Sequence, residues 1–101
     1  MPFVLACAAL AMSIKVNVTL QGNGVYLAQR GYIETMPQGG DFPPMQELLA
    51  NFLELGGMLK VCVPCIESRN IAMSELIEGT QTTGAAALNA EAIEADAVMV
   101  Y

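Results

Sequence analysis

Residues 3–12 (FVLACAALAM) carry no charged side chain and leave no face marked for water. Following Pro2, which suits the first helical position, they predict a helix covered on most sides. The pattern then changes. Ile14, Val16, Val18 and Leu20 alternate with Lys15, Asn17 and Thr19, the period of two that marks a strand with one buried and one wetter face. Gly22-Asn23-Gly24 closes that strand with a turn, and residues 25–30 have room for about two helical turns before Gly31. The prolines and glycines of residues 36–44 predict a loop, the most mobile part of the chain. Beyond it, Met45, Leu48, Leu49, Phe52 and Leu55 fall at helical spacing and Gly56-Gly57 supplies the stop. Residues 58–63 are almost continuously apolar, the mark of a strand covered by helices on both faces, and Pro64 opens a further helix. Ser74 is placed to cap a short turn running to Ile77, and residues 78–82 look extended. Residues 84–95 form an alanine-rich helix with Leu88 and Ile93 inward, and residues 97–101 end the chain as another apolar strand. Strands alternating with helices predict a single domain over residues 1–101, a three-layer α/β/α sandwich on a mainly parallel sheet.

Composition adds an expectation about partners. Apolar residues make up 54% of the 101 and charged residues 14%, against a usual charged share of about 25%. So few charges leave apolar surface on a lone monomer, and a homo-oligomer that hides it is expected. A net charge of −6, with Lys15, Arg30, Lys60 and Arg69 as the four basic residues, argues against a row of phosphate contacts, so nucleic acid is not an expected partner. Nor is a membrane. The apolar stretch of residues 2–12 lacks a basic flank and is too short to span a bilayer. Val4-Leu5-Ala6-Cys7 faintly resembles a lipoprotein cleavage box but lies too near the start to follow a complete apolar leader. Three cysteines are an odd number and sparse for a secreted disulfide scaffold, which favours a reducing, cytoplasmic setting.

The strongest chemical signal is Lys60-Val61-Cys62-Val63-Pro64-Cys65, where a buried strand reaches its carboxyl end and a helix begins. Open α/β sheets place reactive groups at such edges, and the free N–H groups of a helix start bias a thiol toward thiolate. Cys62 stands just before the first turn and Cys65 within it, while Arg69, one turn on, can add positive charge or hold an anionic persulfide. Against this stands the reading of both cysteines as small buried hydrophobes, and of the chain as a non-catalytic oligomeric assembly module. The C-x-x-C spacing also suits a thioredoxin-type exchanger cycling between dithiol and disulfide. Zinc is the weaker reading, since one C-x-x-C offers two ligands and the chain has no histidine. Gly22-Asn23-Gly24 could offer N–H groups to an anion, but a turn is the better reading without the rest of a phosphate-loop fingerprint. Glu91, Glu94 and Asp96 read as a solvated face rather than a metal or acid–base site. Met45, Met58, Met73 and Met99 read as core filling. No cofactor and no metal is expected.

Several groups of residues together resemble the DsrE/DsrF-like family. They are Gly24-Val25-Tyr26-Leu27-Ala28 with Arg30-Gly31, Phe42-Pro43-Pro44 opening the long helix, and Val61-Cys62-Val63-Pro64-Cys65 with Arg69. Glu78-Gly79, Gly84-Ala85-Ala86 and Glu94-Ala95-Asp96-Ala97-Val98 continue the match to the end. The family includes the sulfur-relay subunits of tRNA 2-thiolation and of dissimilatory sulfur metabolism. The resemblance implies a parallel five-stranded sheet between helices, assembly into dimers, trimers or hexamers, and sulfur-donor and sulfur-acceptor proteins as partners. It implies that Cys62 carries sulfur as a persulfide, with Cys65 as a resolving thiol and Arg69 as electrostatic support. Family members also begin with a strand and loop ahead of the helix that here starts at Pro2, so the first family strand is expected to be missing. The chain would then be a fragment, or another strand or subunit would cover the vacancy.

Overall fold

A computed structural model describes residues 2–35 and 44–101. Its centre is a parallel sheet of three strands in the order β1 (Asn17–Leu20), β2 (Met58–Cys62), β3 (Gln81–Thr83). Asn17 lies opposite Met58 and Leu20 opposite Val61; Lys60 lies opposite Gln81 and Cys62 opposite Thr83. Parallel strands need long crossovers, and α2 (Met45–Glu54) belongs to the first of them while α3 (Val63–Ser68) belongs to the second. The α/β class follows as expected. The loop expected at residues 36–44 falls, apart from Pro44, outside the described residues.

β2 is the strand the core is built on. Leu59 and Val61 are fully buried, while Met58, Lys60 and Cys62 on the opposite face are half-buried. Leu59 and Val61 join Phe3, Leu20, Val25, Leu49, Phe52, Ile66, Ile71 and Leu76 in one apolar cluster. α2 enters it through Leu49 and Phe52, as its spacing predicts. Its stop is fixed by geometry: Gly56 adopts φ +93°, and a Cβ on Gly57 would overlap the Phe52 ring. This turn also shortens β1. The expected strand from Ile14 pairs only from Asn17, because the partner chain ahead of Met58 is turning off α2.

Other expectations are corrected. α1 (Pro2–Ala11) is not covered on most sides: Phe3 and Ala6 are buried, the Phe3 ring meeting Phe52 edge-on at 5.4 Å, while Leu5 is 43% exposed. An all-apolar helix cannot announce which face has a neighbour. Residues 22–28 form one 3-10 segment beginning inside the expected turn, with Val25 and Ala28 buried. It is tied to the far side of α3 by Ile77 N–H to Ala28 O at 2.7 Å and Arg30 N–H to Glu75 O at 2.8 Å. α3 begins at Val63, one residue before Pro64. The short turn at Met73–Glu75 is capped by Glu75, whose carboxylate accepts the Ala72 N–H at 3.1 Å, and not by Ser74. α4 (Ala85–Glu94) has no buried residue, and Ile93, expected inward, is 83% exposed. Residues 97–101 form no strand, because β1 and β3 pair only with β2 and no further ladder reaches them. Met45 does pack partly against the core and Met58 is half-buried, but Met73 and Met99 are exposed.

Candidate functional site at the carboxyl edge of the sheet

Because all three strands run the same way, their carboxyl ends share one edge, the edge where open α/β sheets gather ligands. Two loops meet there. Cys62 ends β2 in extended conformation and stands as the residue before α3, with Cys65 within that helix. Across from them, Gly22 follows β1 at φ +57°, a left-handed conformation that glycine adopts without strain. That conformation turns the Gly22 N–H to donate to Cys65 Sγ at 3.2 Å.

Arg69 locks the two loops together. Its Nε and Nη2 donate to Asn23 Oδ1 at 3.2 and 3.0 Å, and its Nη1 donates to the Cys65 carbonyl and to Ser68 Oγ, both at 3.1 Å. All these acceptors are neutral oxygens. Among the described residues Arg69 forms no ion pair, so its charge stays available to an anion beside Cys65.

The two thiols are driven apart in acidity. Cys65 is lowered from the ordinary thiol value, first by the Gly22 N–H, then by the Cys62 thiol and the Arg69 charge, against an opposing effect of burial. Cys62 is raised, first by its hydrogen bond to Cys65, with burial and the charge on Cys65 adding to the rise. The Cys65 N–H draws Cys62 the other way, although no cap hydrogen bond closes on its side chain. Each shift has the other thiol among its causes, Cys62 acting as donor and Cys65 as acceptor of the hydrogen bond between them.

Of the residues singled out from sequence, the fold brings Cys62, Cys65 and Arg69 together. Gly22 and Asn23 complete the cluster and were missed as part of it, having been read as a turn. The signal that could have found them is topological: a glycine turn after one parallel strand and a cysteine after the next must share an edge. Cys7 lies elsewhere, packed against the core, where its thiol donates to Leu48 O at 3.4 Å and burial raises its pKa. Glu91 does not belong to a purely solvated face: it pairs with Lys60 at 3.0 Å and accepts from Asn17 Nδ2. Among the described residues no three His, Cys, Asp or Glu side chains come together as a metal site. A cleft lined by Arg30, Ile33, Leu49, Leu53 and Ile77 contains neither cysteine of the pair.

A three-layer α/β protein with a cysteine pair at the carboxyl edge of a parallel sheet is the class these features define. The DsrE/DsrF-like family model matches residues 1–101, and the chain belongs to that family. It is 38% identical over 96 residues to the uncharacterized protein MJ0989 of Methanocaldococcus jannaschii, a match covering 95% of this chain and 80% of that one. Its fold is that of the ychN protein of E. coli, whose crystal structure superposes with a TM-score of 0.74 over 93% of this chain and 78% of the other, at 22% identity. No helix among the described residues is long and apolar enough to cross a membrane.

Proposed function

We propose that the protein has a sulfur-relay role, accepting a sulfane sulfur as a persulfide on the Cys62/Cys65 pair and passing it to an acceptor thiol. The observation that carries this reading is the Gly22 N–H aimed at the Cys65 thiol, with the Arg69 guanidinium beside it forming no ion pair among the described residues. Family membership supports the same role. A half-buried site with a directed donor and a fixed guanidinium favours a thiolate and, after loading, a persulfide anion. In this reading Cys62 is the carrier, with Cys65 and Arg69 in support. Sulfur-donor and sulfur-acceptor proteins are the partners, and a cytoplasmic homo-oligomer is the working form. The test is mass spectrometry of the reduced protein after incubation with a persulfide donor. One added sulfur atom on the pair, absent from the double variant Cys62→Ser/Cys65→Ser, is the expected result.

The C-x-x-C pair favours one second reading, thiol–disulfide exchange, since two adjacent thiols, one shifted down and one up in pKa, are what such exchange uses. In that case the same incubation yields an internal disulfide that needs both cysteines, with no retained sulfur.

A further inference from the structure

We propose that Cys65, rather than Cys62, makes the first attack on the sulfur donor, and that Asn23 acts as a positioning residue by holding the Gly22 turn and Arg69 against it. The choice of donor rests on the sulfur-relay reading; the choice of attacking thiol rests on geometry alone. The two cysteines lie three residues apart and are unequal in their surroundings. Cys65 Sγ receives a backbone N–H from a separate strand's turn at 3.2 Å, and its own carbonyl is held by Arg69 Nη1. Cys62 has only the Cys65 N–H of its own segment and the Cys65 thiol beside it, and no contact with Arg69 among the hydrogen bonds of the described residues. The short α3, six residues long, is not required as a source of charge. Asn23 matters because Gly22 is its neighbour: the bonds from Arg69 Nε and Nη2 to Asn23 Oδ1 fix the N–H donor and the guanidinium in one step.

The chemistry balances without an added oxidant. Cys65 Sγ, as thiolate, attacks the outer sulfur of a donor R–S–SH. A new S–S bond forms at Cys65, the donor's own S–S bond breaks, and RS⁻ leaves with the electron pair and takes a proton from water. The transferred sulfur keeps its hydrogen as the end of Cys65–S–SH, or loses it to become an anion beside Arg69. Cys62 retains its proton throughout this step.

Limited alkylation of the reduced wild-type protein with iodoacetamide, mapped by peptide fragmentation across a pH series, tests the assignment without any substitution. Cys65 is expected to react first, with a midpoint below that of Cys62, and about ten-fold faster or more near neutral pH. Asn23→Ala should move the Cys65 midpoint upward while the protein keeps its far-ultraviolet spectrum. A time course of the wild type with cysteine persulfide should then place the first added sulfur on Cys65, and Cys65→Ser should load about ten-fold or more slowly. Equal alkylation of the two thiols, or Cys62 reacting first, overturns the assignment. Early loading at Cys62 overturns it too, while leaving the sulfur-relay reading intact. Preferential alkylation of Cys65 with no sulfur uptake by any form overturns that reading instead, and with it the donor named here.

Discussion

α2 and α4 are both ten residues long and lie on either side of β2 in sequence, yet they are held to the sheet by different forces. α2 buries Leu49 and Phe52, and through the Phe3–Phe52 contact it carries α1 as well. α4 buries nothing completely; Glu91 reaches Lys60 of β2 and Asn17 of β1, and Leu88 is half-covered. Apolar content alone therefore does not decide burial. The apolar residues of α2 recur every three or four positions and make a stripe, whereas α4 is mostly alanine, with too little side chain to form one.

The comparison can be broken most forcefully at Phe52. Phe52→Ala should cost about 3–5 kcal/mol, the range for an aromatic removed from a closed core, read as a lowered midpoint of urea unfolding. Gly57→Ala should come next. The added Cβ would overlap the Phe52 ring, and overpacking of this kind costs about 1–3 kcal/mol. On the other helix, Glu91→Gln removes the partner of Lys60, whose side chains are 19% and 26% exposed for Lys60 and Glu91. A partly exposed pair is worth about 0.2–1 kcal/mol, and the loss should shrink as salt is raised. The Glu91 carboxyl is held below the usual range, first by its hydrogen bond to Lys60. Its contribution to stability is thus complete above the unfolded-state value and is lost as pH falls through the lower folded-state value. Wild type and Glu91→Gln should converge in thermal stability on acidification. Ile93→Ser should sit at the bottom of the series, unchanged within about 0.5 kcal/mol, because Ile93 is almost fully exposed; a larger loss would mean that α4 is covered by something beyond these residues.

The same contrast explains what could be read from the sequence. α2, β2 and the position of Cys62 just before a helix were legible because their signals are local: a 3.6 period, a continuous apolar run, and a proline beside the helix start. Residues 97–101 carry equally good strand chemistry but pair with neither edge strand, β1 or β3, and periodicity says nothing of pairing. Ile14 alternates correctly but lies beyond the point where Gly56 and Gly57 turn the partner strand away. At the site, the spacing of Cys62, Cys65 and Arg69 was visible within one short segment. Their inequality was not, because it is imposed by Gly22 and Asn23 from another strand.

That imposition also gives the thiol a place in time. Gly22 and Cys65 are 43 residues apart, joined through a parallel pairing that cannot close until the α2 crossover has folded back. Local structure around α3 supplies only the smaller effects of Cys62 and Arg69 on Cys65. The largest effect, the Gly22 N–H, arrives only with the long-range pairing of β1 and β2, so during refolding the onset of rapid alkylation at Cys65 is a chemical clock for that pairing.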